Sequence, residues 1–193
     1  MAETSAWCEP DRASLREVVV GMGANLGCVR QNLSLAVGEL RRLGTVTGVA
    51  WLYRTAPVGG PPQPHFLNTA ARLATSRALE PLLDELLAIE RAAGRDRGGS
   101  GERFGPRILD LDILWAGSEV AIDAPRLVVP HPRLHQRLFA LLPLLDLVPD
   151  AKAPAGAESY VQVARALGDQ GVVRLEGPDW WRGDEPAADS IAP

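Results

Sequence analysis

Apolar and polar positions fall in blocks along the chain, and the blocks differ in period. Three consecutive valines inside residues 16–21 predict a buried strand, broken by the run Gly21-Met22-Gly23-Ala24-Asn25-Leu26-Gly27. Residues 28–43 carry Val29, Leu33, Val37 and Leu40 at helical spacing, with Gly44 as the stop. Residues 45–54 are β-branched and aromatic and predict a second strand. Four prolines and two glycines within 55–65 predict a loop of restricted backbone. Residues 66–75 alternate loosely and predict a third strand. Leu82, Leu83, Leu86, Leu87 and Ile89 make 79–93 an amphipathic helix. A Gly- and Arg-rich loop at 94–106 precedes a fourth strand at 107–115. Beyond it come a short hairpin around Gly117-Ser118, a helix over 130–145 that Pro143 breaks or kinks, and a short helix over 158–167.

The order β-α-β-β-α-β over residues 16–115 is the split-βαβ, ferredoxin-like order. The fold class expected is α+β, with helices packed on a mainly antiparallel sheet and extra C-terminal helices. Residues 1–15 read as a disordered N-terminal extension, 16–177 as a single domain, and 178–193 as a polar tail. In that tail Trp180-Trp181 reads as a cap on an apolar patch.

A length of 193 residues, 46% hydrophobic and 23% charged, suits one globular domain. No apolar run approaches ~18 residues, so no spanning helix is expected. The net charge of −4 argues against bulk nucleic-acid binding. Cys8 and Cys28 match no metal-ligand spacing, and the N-terminus has no apolar core of a signal peptide. A reducing, cytoplasmic setting follows.

The sharpest chemical signal is Asp110-Leu111-Asp112 in the fourth strand. Residues i and i+2 of a strand share a face, about 7 Å apart. Asp110 and Asp112 therefore project together, while Leu109, Leu111 and Ile113 take the other face. Two carboxylates amid apolar neighbours repel each other and lose hydration. A divalent cation removes both costs, and oxygen ligands favour Mg²⁺. The competing reading is a solvent-exposed strand face carrying paired acids.

Context favours the cation. Residues 91–107 hold Arg91, Arg95, Arg97, Arg103 and Arg107 against Asp96 and Glu102, a basic island in an acidic chain. Arginine offers planar, bidentate donors to phosphate oxygens, and the loop's glycines allow closure over a ligand. A solvated basic loop is the plainer alternative. No Walker A lysine and no G-x-G-x-x-G spacing occurs, so the glycines at 21–27 read as a tight strand-to-helix turn. A second candidate site is Tyr53-Arg54-Thr55-Ala56-Pro57-Val58-Gly59 with Phe66-Leu67-Asn68. Asn68 offers donors and an acceptor to the mixed edge of a pterin, purine or amide. Phe66 can stack on a flat ring. Pro130-His131-Pro132 opens the later helix, whose N-terminus would let His131 donate to a phosphate.

The run Arg103-Phe104-Gly105-Pro106-Arg107-Ile108-Leu109-Asp110-Leu111-Asp112-Ile113 resembles the signature of the 6-hydroxymethyl-7,8-dihydropterin pyrophosphokinase family. The resemblance extends in order over roughly residues 17–150. It takes in Gly21–27, Tyr53-Arg54-Thr55-Ala56-Pro57, Phe66-Leu67-Asn68, Glu90 with Gly94 and Arg95, and Pro130-His131-Pro132 with Arg137 and Phe139. It implies transfer of diphosphate from ATP to the pterin's hydroxymethyl oxygen, in folate biosynthesis, by a monomer with two Mg²⁺ ions.

Asp110 and Asp112 would then hold both metals. Arg95 and Arg107 would neutralise charge developing during transfer. Glu90, Arg97, Arg103, Phe104, Ile113, Arg126, His131 and Arg137 would serve ATP. Thr55, Ala56, Val58 and Asn68 would hold the pterin edge, with Phe66 and Phe139 sandwiching its ring. Phe104 departs from a common Trp, and Val128 from a hydroxyl residue. The rival readings are a diphosphotransferase with another acceptor and a ferredoxin-like RNA-binding domain. Phe66, Asn68 and Phe139 oppose the first; Asp110, Asp112 and the negative charge oppose the second.

Overall fold

Val18, Val19 and Val20 are all fully buried in β1 (Arg16–Ala24), so both faces of this strand are covered. The structure is a computed structural model, and it describes residues 15–94, 105–118, 120–154 and 158–182. The remaining elements are α1 (Val29–Leu40), β2 (Thr45–Val49), β3 (Leu52–Thr55), β4 (Phe66–Thr75), α2 (Leu79–Ala92) and β5 (Asp110–Trp115). They continue with β6 (Ile122–Ala124), β7 (Leu127–Val129), α3 (Leu138–Leu147), α4 (Tyr160–Ala166) and β8 (Val173–Glu176). Short 3-10 turns lie at Leu134–Gln136 and Trp180–Arg182.

The main sheet runs β5-β1-β4-β3-β8, with β2 also paired to β4, and every pairing is antiparallel. Taking β2 and β3 together as the second strand, this is the ferredoxin-like order, extended at one edge by β8. On one face α1 and α2 bury Leu33, Leu40, Leu82 and Leu86 completely. On the other, α3 and α4 pack Leu141, Leu144 and Tyr160 against Val19, Ala70 and Leu114. Each such leucine contributes about 1.5–3 kcal/mol. A capping box, Ser159 with Gln162, starts α4. Among the described residues no helix is long and apolar enough to cross a membrane.

Several expectations are corrected. β1 does not break at Gly21; it runs to Ala24, paired on both sides, and Gly21 and Gly23 leave room for the side chains of Leu114 and Asn68. Gly44 does not cap α1, which ends at Leu40. A Cβ at Gly44 would sit 2.4 Å from the Ala74 carbonyl oxygen, so the glycine serves contact with β4. The strand expected over 45–54 is interrupted at Ala50-Trp51. The Ala50 carbonyl is taken by the Trp180 indole at 3.1 Å and the Thr69 hydroxyl at 3.2 Å.

The fourth strand starts at Asp110, not 107, since the Arg107 carbonyl accepts from the Asn25 and Leu26 amides instead of a ladder. The hairpin is β6–β7, turning at Pro125-Arg126, while Gly117 makes only a turn at φ 103°. No helix starts at Pro130, which follows a cis peptide bond, and α3 begins at Leu138. Pro143 lies inside α3 without ending it. Full burial of Leu141 and Leu144 offsets the ~3 kcal/mol that an interior proline costs. Finally, β8 forms inside the expected domain where no strand was expected, and the turn at Trp180–Arg182 forms in the expected tail. Trp180, set in the expected tail, is buried in the core on the α1/α2 side. Residues 1–14 and 183–193 lie outside the described residues.

Candidate active site

Strand register builds one row across the sheet. Asp110 faces Gly23, Gly23 faces Asn68, and Asn68 faces Tyr53. The next pairs put Asp112 opposite Gly21 and Thr55 opposite Phe66. By the two-residue strand period all of these share the face that α3 partly covers. Gly21 and Gly23 leave bare backbone in the middle of it. A Cβ at Gly23 would come 3.0 Å from Asn68 Oδ1, and one at Gly21 would meet Leu114 at 2.9 Å.

Above this floor is a cleft with two lobes. The larger, of about 190 Å³, brings together Thr55, Ala56, Val58, Phe66, Asn68 and Phe139 with Arg107, Arg137, Asp110 and Asp112. The smaller, of about 50 Å³, shares the acid pair, Arg137 and Phe139 and adds His131. Asn68 is buried, and its Nδ2 donates to Thr55 Oγ1 at 2.8 Å. The Arg137 guanidinium lies over the Phe139 ring, 5.4 Å from its centroid.

The acid end carries frustrated charge. Burial, then the carboxylates of Asp110 and Glu90, push Asp112 up to about 6 against the pull of Arg107 and Arg137. Arg107 Nη1 donates to Asp110 Oδ1 at 2.5 Å. Burial, with Arg137 and Arg133, pushes His131 down to about 4. His131 Nδ1 accepts from the Arg133 amide at 3.2 Å, so its proton sits on Nε2 and makes it a neutral donor. The expectation that a helix N-terminus adds to this donor is corrected, because no α-helix begins at residue 130.

Three residues expected on the nucleotide side do not line this cleft. Glu90 is buried behind the sheet, and its Oε1 accepts the Leu111 amide at 2.7 Å. Ile113 is buried with the α1/α2 layer, its side chain turned from the acid face. Arg126 sits at the β6–β7 turn, paired with Asp84 at 2.5 Å. Arg95, Arg97, Arg103 and Phe104 lie outside the described residues.

Sequence reasoning passed over Gln63 and Arg133, which line the larger lobe, and gave Gly105, also on its lining, a part only in loop closure. It also missed the part played by Asn25. Asn25 Oδ1 accepts from the Arg107 amide at 2.7 Å, and its Nδ2 donates to Gln63 Oε1 and the Pro64 carbonyl. The only sequence signal was a polar residue inside the glycine run. Among the described residues no three His, Cys, Asp or Glu side chains form a metal cage. Two carboxylates on a cleft suit Mg²⁺, which takes its other ligands from water and phosphate.

A family model described as 7,8-dihydro-6-hydroxymethylpterin-pyrophosphokinase matches residues 19–149. The chain belongs to this family. Among its pyrophosphokinase relatives is a 2-amino-4-hydroxy-6-hydroxymethyldihydropteridine pyrophosphokinase of Pseudomonas aeruginosa. It is 40% identical over 165 residues, 84% of this chain and 99% of the relative. The enzyme of that name from Synechocystis is 38% identical over 151 residues, covering 75% and 73%. The mitochondrial folate synthesis bifunctional protein of Arabidopsis thaliana is 44% identical over 136 residues, and the match spans 24% of its length. A crystal structure of Plasmodium falciparum HPPK-DHPS superposes with a TM-score of 0.60 at 13% identity. It covers 79% of this chain and 45% of that one and shows the shared pyrophosphokinase fold.

Proposed function

We propose that the chain transfers diphosphate from ATP to the hydroxymethyl oxygen of 6-hydroxymethyl-7,8-dihydropterin, releasing AMP, in folate biosynthesis. The observation that carries this reading is one continuous cleft with an acid pair at one end and an aromatic, amide-lined recess at the other. The family relatives, named as pyrophosphokinases of this pterin, support the same acceptor.

Asn68 and Thr55 would hold the polar edge of the ring, with Phe66 and Phe139 against its faces. Ala56 and Val58 close the rim. The pterin hydroxyl oxygen forms a bond to the β-phosphorus of ATP. The bond from that phosphorus to the α-phosphate oxygen breaks with its electron pair, and the hydroxyl proton passes to water. Such transfer needs positioning and charge stabilisation rather than covalent help from the protein. Arg107 and Arg137 direct positive charge at the phosphates, and His131 donates from Nε2 without adding charge.

Asp110 and Asp112 would hold two Mg²⁺ ions, which supply charge neutralisation to the polyphosphate when bound. Glu90, by fixing the amide between the two acids, keeps both on one face. Arg95, Arg97, Arg103 and Phe104 join the ATP side of the proposal through the family resemblance, as do Ile113 and Arg126. The setting proposed is a cytoplasmic monomer acting on two small molecules, in which the exposed Cys28 stays a free thiol.

The test is AMP formation from ATP and Mg²⁺, with and without the pterin. Pterin-dependent AMP with an equal amount of pterin diphosphate by mass is the expected result. ADP as the product would mean attack at the γ-phosphorus, and a simple kinase reading would replace this one.

A further inference from the structure

We infer that Asp146 is a positioning residue: held by Tyr53 and Arg174, it sets the α3 face bearing Phe139 against the strands bearing Thr55 and Asn68. The inference rests on reading those residues as the ring subsite.

Asp146 lies in the last turn of α3 and Phe139 in the first. They are seven residues apart, so they share one helix face about 10 Å apart along the axis. Asp146 Oδ2 accepts from the Tyr53 hydroxyl at 2.7 Å and from the Trp51 amide at 3.2 Å. Its Oδ1 accepts from Arg174 Nη2 at 2.6 Å. Arg174 in turn donates to the Tyr53 hydroxyl at 3.2 Å and lies over the Trp51 ring at 4.2 Å.

Tyr53 faces Asn68 directly in register and precedes Thr55 by two residues on the same side of β3. One carboxylate thus joins the helix bearing one wall of the recess to the strands bearing its floor. Burial and the bond to Asp146 push the Tyr53 phenol up to about 12, so it stays a donor at all working pH values. Arg174 stands on β8, beyond residues 19–149 that the family model matches. A C-terminal strand outside the matched stretch therefore completes the brace. None of the three residues lines the cleft.

The test compares Tyr53→Phe and Arg174→Ala with Phe139→Ala in steady-state kinetics for both substrates. Removing either brace donor should raise the pterin KM about fivefold while the ATP KM and kcat stay within about twofold. The double variant should be no worse than the sum of the singles predicts, and closer to the larger single, because both act through one carboxylate. A fall in Tm with an unchanged pterin KM in both variants would overturn the inference and leave a purely structural brace. An equal rise in both KM values would overturn it too. If Phe139→Ala leaves the pterin KM unchanged, the ring subsite falls and the brace's role with it. If Phe139→Ala raises it and neither brace variant does, only the brace falls.

Discussion

The Arg107 guanidinium donates to the Asp110 carboxylate at 2.5 Å, so the protein itself compensates one of its two paired acids. At Asp112 burial and the carboxylates of Asp110 and Glu90 outweigh the pull of Arg107 and Arg137. A divalent cation at the pair would take over Arg107's role at Asp110. The guanidinium would then be released toward phosphate oxygens, for which its planar fork is suited. The side chains are only partly buried, 30% and 25% exposed, so exchanging the ion pair costs little.

Arg107→Ala should therefore lower kcat by roughly 10²–10³, with a smaller rise in the KM for ATP. Steady-state kinetics with ATP as the varied substrate checks this. If KM moved and kcat did not, Arg107 would serve ground-state binding alone.

Asp112→Asn should abolish turnover yet stabilise the metal-free fold. The carboxyl titrates near 6 when folded against an ordinary value near 4, so the folded state holds its proton more tightly. The resulting destabilisation is absent below about pH 4, grows as pH rises, and is complete above 6. At pH 7.5 the variant's Tm should exceed that of the parent by roughly 2–6 °C, on the order of 1–2 kcal/mol. Near pH 3.5 the gain should vanish. Mg²⁺ should raise the parent's Tm and leave the variant's almost unmoved. A lower Tm for the variant at pH 7.5 would mean that Asp112 is well compensated.

His131 should remain neutral across the working range. Its folded value of about 4 lies below the ordinary value near 6.5. Its stability contribution is full above 6.5 and lost as pH falls from 6.5 through 4. Imidazole proton shifts followed by NMR should stay flat from pH 8 to 5.5 for His131, while exposed His65 and His135 report themselves as separate signals. A midpoint near 6.5 for His131 would remove the neutral-donor role.

Gly23→Ala should damage the pterin side selectively. The new methyl would stand 3.0 Å from Asn68 Oδ1 and displace the amide that reads the ring edge. Alanine suits a strand backbone at least as well as glycine, so the fold should survive. The expected result is a pterin KM raised about tenfold with the ATP KM unchanged. Equal losses for both substrates in titration would show a general distortion of β1.

Local patterns made much of the site legible. Asp110 and Asp112 needed only the two-residue period of a strand, and α2 needed only its leucine spacing. The segments at 53–59 and 66–68 stood out through the Asn68 amide and the Phe66 ring, the family resemblance gave their residues roles, and register then set Tyr53 opposite Asn68. The same local rules misread β1, because glycine looks like a breaker until Asn68 and Leu114 are seen beside Gly23 and Gly21. They misread residue 130 because a proline marks a helix start as readily as it marks a turn.

From the sequence alone came the α+β order, the acid pair and its shared face, since these depend on neighbours a few residues apart. Tertiary structure alone decided that Asn25 ties Arg107 to Gln63 and that Trp180 ends a strand at Ala50. It likewise decided that Arg174 completes the Tyr53–Asp146 brace. Each of these joins groups separated by tens to more than a hundred residues, and a hydrogen bond carries no trace in the chain of where its partner lies.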